Sequence, residues 1–544
     1  MVRGDINRID LGTAFFERII TGNCFYVDKS GFIEHFLNDA NEVVLIARHR
    51  RLGKSLNMDM LRCFLTDRKD NRGLFRGLYI ENRPVWERAH SAPVFAFNLK
   101  GMNETNYQLQ LFLQVFTQFN DSFNKNSLSE EDLFKWDLYC GQKGADTNGL
   151  LLLTELAYHL TGKRSYLLVD EYDKPLRDTY QTGSYDAVFE TVKLFFSAGL
   201  KDNPYLEKGL LTGVLRVSYE GMLSDLNNIA TYDIFEDDVY TDDYGFTEEE
   251  MDEIQALVSF DREKLRQWYN GVRVNQKAIY NVYSVSSFLR NGKYACYWGK
   301  SQLLNMIAIM MNDDRKSAIS EMMNGEQIEV PVDTRISLKE LWESQDDYSF
   351  YSFLIQGGYL TIHEMFSEKS TATVSIPNEE LMRVWKTFIL KSFYPRQQKM
   401  LTMFDRADNL GLLALDIESF LSDSLSYYDL AVHTGEERHR VWERVYHVFI
   451  LGILSAYTES SYSKPVSEGE GGDGRYDILY QRANSYYLFE FKSCDRADQL
   501  EARAGDALRQ IDEKRYGARL NPSVPLIKVG IAISGKQCRV KCGR

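Results

Sequence analysis

"NEVVLIARHRRLGKSLNMDML" spans residues 41–61, and its reading decides the fold of the first half of the chain. Residues 41–47 form a short apolar run rich in β-branched side chains, the pattern of a buried parallel strand. After Gly53, "KSLNMDMLRCFL" spaces Leu56, Met60, Leu61 and Phe64 at helical intervals. The loop between strand and helix ends in Gly53-Lys54-Ser55, as does the phosphate-loop pattern G-x-x-x-x-G-K-[ST], but Arg48 stands where that pattern has its first glycine. Such a loop works because backbone N–H groups and a helix N-terminus surround the phosphates, while the lysine adds charge and the hydroxyl holds Mg2+. Gly53, Lys54 and Ser55 supply those parts, provided that the turn at Arg48 takes a conformation open to a side chain. The plainer reading is a strand-turn-helix with a basic surface loop.

A second stretch bears on the choice. "YLLVDEYDKPL" (166–176) is an apolar strand whose last residues are Asp170 and Glu171, at the edge where α/β folds bind ligands. Asp170 is expected to hold hydrated Mg2+, and Glu171 to orient and deprotonate the attacking water. Further strands read at 93–99 and 209–216, with helical segments between, which predicts a wound, mainly parallel α/β sheet.

The third stretch is "GRYDILYQRANSYYLFEFKSCD" (474–495). Asp477 opens one strand and Glu490-Phe491-Lys492 ends the next, with "RANS" as the hairpin turn. Because strand side chains alternate, Glu490 and Lys492 share one face while Phe491 enters the core, so Asp477, Glu490 and Lys492 can converge on one metal. Two carboxylates suit Mg2+, or Mn2+ in its place, and a nearby ammonium can position the attacking water. An amphipathic edge strand would read the same way.

Composition sets limits. The 544 residues predict several domains, at 44% apolar and 26% charged an ordinary globular balance. A net charge of −14 excludes a general nucleic-acid coating protein, though not a nuclease with a local basic groove. Seven scattered cysteines without CxxC pairing argue against a disulfide framework or structural zinc. Without a membrane-length apolar run or a signal-peptide layout, a cytoplasmic protein with no membrane partner is expected. The segments "TEEEMDEIQALVSF" and "DREKLRQWYNG" read as a helical lid, residues 300–440 as mostly helical, and 463–474 as a Gly- and Glu-rich connection before a second α/β domain.

The whole text resembles bacterial AAA-ATPase-like proteins that end in a PD-(D/E)XK nuclease-like domain. Their loop typically reads R-P-R-R-F-G-K-S-L, here "RHRRLGKSL", so the missing glycine is normal for that family. "FYVDKSGFIEHFL" (25–37), "DEYDKPL" (170–176), "LTGVLRVSYEGMLSDLNNI" (211–229), "YGFTEEE" (244–250), "WYNGVRV" (268–274) and "YNVYS" (280–284, against the family's Y-N-P-Y-S) extend the match. The resemblance implies an AAA+-like P-loop domain over 1–246, a helical lid and winged-helix-like region over 247–435, and a PD-(D/E)XK-type α/β domain over 436–544. It adds Arg51 to the nucleotide-binding candidates, makes Thr212 a polar sensor of the γ-phosphate, and makes Arg216 a sensor or finger arginine. It also matches Glu443 to E-x-x-Y-H, Gln510 with Tyr516 to Q-I-x-x-K-x-Y, and places Glu470 in the glycine-rich turn. Tyr476 replaces the usual proline before the aspartate.

The expected function is an ATP-binding and ATP-hydrolysing protein whose second, Mg2+-dependent site cleaves DNA or RNA under nucleotide control. The competing reading is a signalling or interaction ATPase whose nuclease-like domain binds a partner without cutting; homo-oligomerisation stays open. His447 in "VYHVF" reads as a packed core histidine rather than a catalyst, and the aromatic stretches "YSFYSF" and "SYYLFEF" as core.

Overall fold

The computed structural model describes residues 1–142, 147–180, 182–216, 228–236, 239–275, 277–298, 303–323, 325–335, 341, 344, 346–392, 403–404, 409–424, 442–443, 445–447, 449–451, 454, 465–482, 485–535 and 537–544. It divides into two compact units, Met1–Met310 with Gly325–Met382, and Met311–Asn324 with Arg383–Arg544. Parts of two matched stretches, 217–227 and the hairpin turn at 483–484, lie outside the described residues.

The first unit is built on a five-stranded sheet of β1 (Val43–Ala47), β2 (Val94–Asn98), β3 (Ser165–Asp170), β4 (Leu206–Gly213) and β5 (Ile229–Tyr232). The strands run in the order β2-β3-β4-β1-β5 and every pairing is parallel. Every residue of β1 and β3 is buried, as their unbroken apolar text requires of strands covered on both faces. Each buried Val, Leu or Ile side chain of these strands contributes roughly 1.5–3 kcal/mol. Helix α1 (Lys54–Leu65) follows the β1 loop and buries Met60, Leu61 and Phe64. β4 ends earlier than its text suggests. The N–H groups of Val214 and Leu215 leave the ladder for the Asp173 carboxylate, at 3.3 and 3.0 Å.

The lid helices are Glu248–Leu257, opened by a Thr247/Glu250 capping box, and Arg262–Tyr269, capped by Asp261. They share a core with Phe25, Val27 and helix Val282–Asn291. Within the region read as mostly helical, Ile328–Pro331, Thr361–Phe366 and Thr371–Ser375 form an antiparallel sheet beside helix Asp347–Gln356. The aromatics Phe350, Tyr351 and Phe353 are buried there.

The second unit carries β6 (Val466–Gly471), β7 (Gly474–Arg482), β8 (Ser485–Ser493), β9 (Leu526–Ser534) and β10 (Gln537–Gly543), in that order across one sheet. Only β8 and β9 pair in parallel, and α2 (Leu500–Glu513) makes their connection. Residues 466–471, read from sequence as connection, are a strand, and Glu470 pairs opposite Arg475 rather than lying in a turn. Gly469 belongs in this strand for a steric reason. A Cβ there would sit 2.2 Å from the Tyr476 hydroxyl, so the neighbouring strand's ring requires glycine. One sheet face packs on helix Leu410–Ser424 and on Tyr446, Ile450 and Leu454. The Leu488 side packs with Ile511 of α2 and with Tyr516.

Candidate functional site

The loop after β1 answers the question posed by Arg48. Its left-handed residues are Arg51 (φ 67°) and Gly53 (φ 95°), so no glycine is required at 48. Arg48 instead turns inward, is fully buried, and donates to the carbonyls of Ala47 (2.9 Å) and Tyr232 (3.1 Å). Burial lowers its pKa to about 10, which leaves it charged. His49 is buried too. Its Nε2 meets the Ile355 carbonyl at 3.0 Å, and desolvation takes its pKa down to about 4, so the ring stays neutral. Lys54 caps the interior of the loop, donating to the carbonyls of Arg48 (2.8 Å) and His49 (2.7 Å), and burial lowers its pKa to about 8.

Parallel register brings the other groups to the same edge. Asn98 pairs with Asp170, Asp170 with Thr212, and Ala47 with Gly213. Asp170 consequently gathers hydrogen bonds from the Ser55 hydroxyl (2.5 Å), the Thr212 hydroxyl (2.7 Å) and the Asn98 amide (3.3 Å). Burial raises its pKa against those hydrogen bonds. Glu171 follows in the left-handed region (φ 57°), and its carboxylate accepts from Arg177 at 2.9 Å. Burial alone would raise its pKa, but Arg177, Lys54, Arg50 and Lys174 outweigh it and hold the carboxyl below its usual range. Arg177 is anchored in turn by the fully buried Asp173, at 2.7 Å.

Two predicted arginines lie elsewhere. Arg51 donates to the Tyr297 carbonyl and lies 4.0 Å over the Tyr283 ring, while Arg50 is the loop arginine whose charge reaches Glu171. Arg216 pairs with buried Asp233 at 3.3 Å. Asn98, Arg50 and Arg177 were not singled out from sequence. Position at a strand end was a usable signal for Asn98; the others needed the tertiary contacts.

In the second unit Asp477 accepts the Phe491 N–H at 2.8 Å, and burial raises its pKa. Glu490 is buried beneath α2. Its Oε1 accepts from the Gln510 amide and lies 3.4 Å from the Lys492 ammonium, whereas Oε2 is buried with no hydrogen-bond partner. Burial first, and Asp477 second, push its pKa up to about 8. Gln510 also donates to the Tyr516 hydroxyl at 3.0 Å. Glu443 accepts from the Ser493 N–H (2.7 Å) and hydroxyl (2.8 Å), beside the end of β8.

Residues 10–223 match a family described as predicted AAA-ATPase, and residues 441–542 match the PD-(D/E)XK nuclease superfamily. The chain joins an AAA-ATPase-like domain to a PD-(D/E)XK domain. It is also 24% identical over 536 residues to an "Uncharacterized protein in vnfD 5'region" of Azotobacter chroococcum mcd 1, an alignment covering 97% of this chain and 96% of that one.

In the AAA-ATPase-like domain, Ser55 and Asp170 could supply hard oxygens to a cation; in the PD-(D/E)XK domain, Asp477 and the unpartnered Glu490 oxygen could do so. Among the described residues no three His, Cys, Asp or Glu side chains gather around one point. Two-carboxylate sets of this kind suit Mg2+, which keeps waters and takes substrate phosphate oxygens for its remaining positions. His447 meets the Ser467 hydroxyl at 3.0 Å and packs on the Phe491 ring.

Proposed function

We propose that this chain is a nucleotide-regulated, metal-dependent nuclease. The observation that carries the reading is the convergence of Asp477 and Glu490 around a buried carboxylate oxygen with no partner. A buried carboxylate left without a partner is costly, and a divalent cation relieves that cost. Bound there, the cation would polarise the scissile phosphate and lower the pKa of a water. Glu490 is then a ligand oriented by Gln510, Lys492 positions the attacking water, and Glu443 steadies the end of β8 through Ser493. Local charge supports a nucleic-acid substrate: residues 441–544 hold 16 Lys and Arg against 13 Asp and Glu, a net +3 inside a chain of net −14.

In the AAA-ATPase-like domain, Gly53, Lys54 and the N-terminus of α1 bind the phosphates, Ser55 and Asp170 hold Mg2+, Thr212 reports on the γ-phosphate through Asp170, and Glu171 activates water. Residues 1–246 thus form the nucleotide domain and 436–544 the nuclease domain, with 247–435 between them. The test incubates full-length protein with labelled DNA and RNA panels, Mg2+ or Mn2+, with and without ATP. Metal-dependent cutting that responds to ATP is expected. Nucleotide turnover without cutting under any condition would favour an interaction ATPase instead.

Glu490 also predicts a pH signature independent of cutting. Its folded pKa of about 8 lies above the ordinary 4.5, so the native state retains a proton that the unfolded chain releases. The resulting stability is complete below 4.5 and is lost as pH rises through 8. Metal-free protein should therefore melt at lower temperature at pH 9 than at pH 6. Mn2+ should reverse that fall, because a bound cation favours the ionised form. A melting temperature indifferent to both pH and Mn2+ would exclude Glu490 as a ligand.

A further inference from the structure

We infer that Glu380 is a positioning residue of the nucleotide loop, an inference that rests on the nucleotide-binding reading above. Glu380 is 1% exposed. Its Oε1 accepts the backbone N–H groups of Tyr297 (2.5 Å) and Trp298 (2.7 Å), and its Oε2 accepts the Ser284 hydroxyl (2.8 Å).

Tyr297 and Ser284 lead to the loop. The Tyr297 carbonyl accepts from Arg51, whose guanidinium also lies over Tyr283. The Tyr283 N–H donates to the Arg51 carbonyl at 3.4 Å, and the Asn281 amide to the Arg50 carbonyl at 3.3 Å. Asn281 also caps helix Val282–Asn291 by accepting the Ser284 N–H at 3.0 Å. The stretch "YNVYS" (280–284), left without a role by the chemistry above, is thus a grip on loop residues 50 and 51, and Glu380 is the buried acceptor that closes it.

The grip has a conformational task. Arg51 is a non-glycine residue in the left-handed region, a state that persists only where its surroundings over-determine it. Its carbonyl, guanidinium and ring contact supply that determination two residues before Gly53 and three before Lys54. Burial raises the Glu380 pKa, and the hydrogen bonds from Ser284, Trp298 and Tyr297, with the Arg51 charge, oppose that rise. Without Glu380 the Tyr297–Trp298 backbone loses its acceptor, Arg51 loses its fixed partner, and the loop no longer presents Lys54 in one geometry.

The experiment is a fluorescent ATP-analogue titration of full-length wild type, Glu380→Ala, Glu380→Gln, Arg51→Met and the Arg51→Met/Glu380→Ala double variant, with turnover at saturating nucleotide. Glu380→Ala should weaken binding roughly 5- to 150-fold, the usual range for coupling between sites, while saturated turnover stays within about two-fold. Glu380→Gln keeps an acceptor for both N–H groups and should recover most of the affinity. In the Arg51→Met background, Glu380→Ala should add almost nothing, because the two act through one contact. Should Glu380→Ala fail to fold, Ser284→Ala removes one hydrogen bond and replaces it in the same cycle, with an expected loss of about 2- to 10-fold. Additive losses, or unchanged affinity in a folded variant, overturn the inference alone. Wild type that binds no nucleotide overturns the site reading and this inference with it.

Discussion

Alanine at Asp477 or at Glu490 is expected to abolish metal-dependent cleavage while leaving the fold intact. Asp477 and Glu490 are the two carboxylates assigned to the cation, and a small divalent cation held by one of them alone dehydrates too reluctantly to stay. The two variants should differ in stability. Asp477→Ala leaves the Phe491 N–H without its 2.8 Å acceptor, whereas Glu490→Ala removes a buried carboxylate that is itself poorly satisfied, so the second should cost less. Lys492→Ala removes a positioned charge and no ligand. Metal binding should persist while cleavage falls about 10²- to 10³-fold, the scale of one electrostatic contact to a developing charge. Calorimetric metal titration beside cleavage assays separates the three. Complete loss of metal in Lys492→Ala, or wild-type cutting in all three, would mean that the roles are misassigned.

Lys54→Ala should remove most nucleotide binding, with an effect of comparable size at the other site. The ammonium already lies inside the loop on the Arg48 and His49 carbonyls, where it can turn to neutralise phosphate charge that backbone N–H groups cannot. Its removal also leaves those two carbonyls without their donor, so some loop order should be lost as well. Glu171→Gln is the informative contrast. The amide keeps the shape but cannot accept a proton, so binding should survive while hydrolysis slows sharply. Nucleotide titration and single-turnover hydrolysis read the two effects separately. Unchanged affinity in Lys54→Ala would end the phosphate-loop reading, and equal turnover in Glu171→Gln would remove Glu171 from the chemistry.

Both sheets were legible because their strands carry local signals. The unbroken apolar text of β1 and β3 and the alternation around Glu490 reflect burial on two faces and on one, and burial is a property that composition records. β6 was missed for the same reason in reverse. Its "VSEGEG" text has the look of a turn, and its glycines make sense only once the Tyr476 ring is seen against Gly469.

What the sequence determined by itself was the chain position of the chemical groups at strand ends: Lys54 and Ser55 after β1, Asp170 and Glu171 at the end of β3, and Asp477, Glu490 and Lys492 on one hairpin. Periodicity and spacing are short-range, and these features lie within a few residues of the signals that mark them. Tertiary structure alone decided which groups meet. The parallel register brought Asn98 and Thr212 to Asp170, the left-handed turn fell on Arg51 rather than Arg48, and Glu380 arrived beneath the Tyr297–Trp298 backbone from over 80 residues away. Such contacts depend on which surfaces pack together, so no stretch of local text announces them.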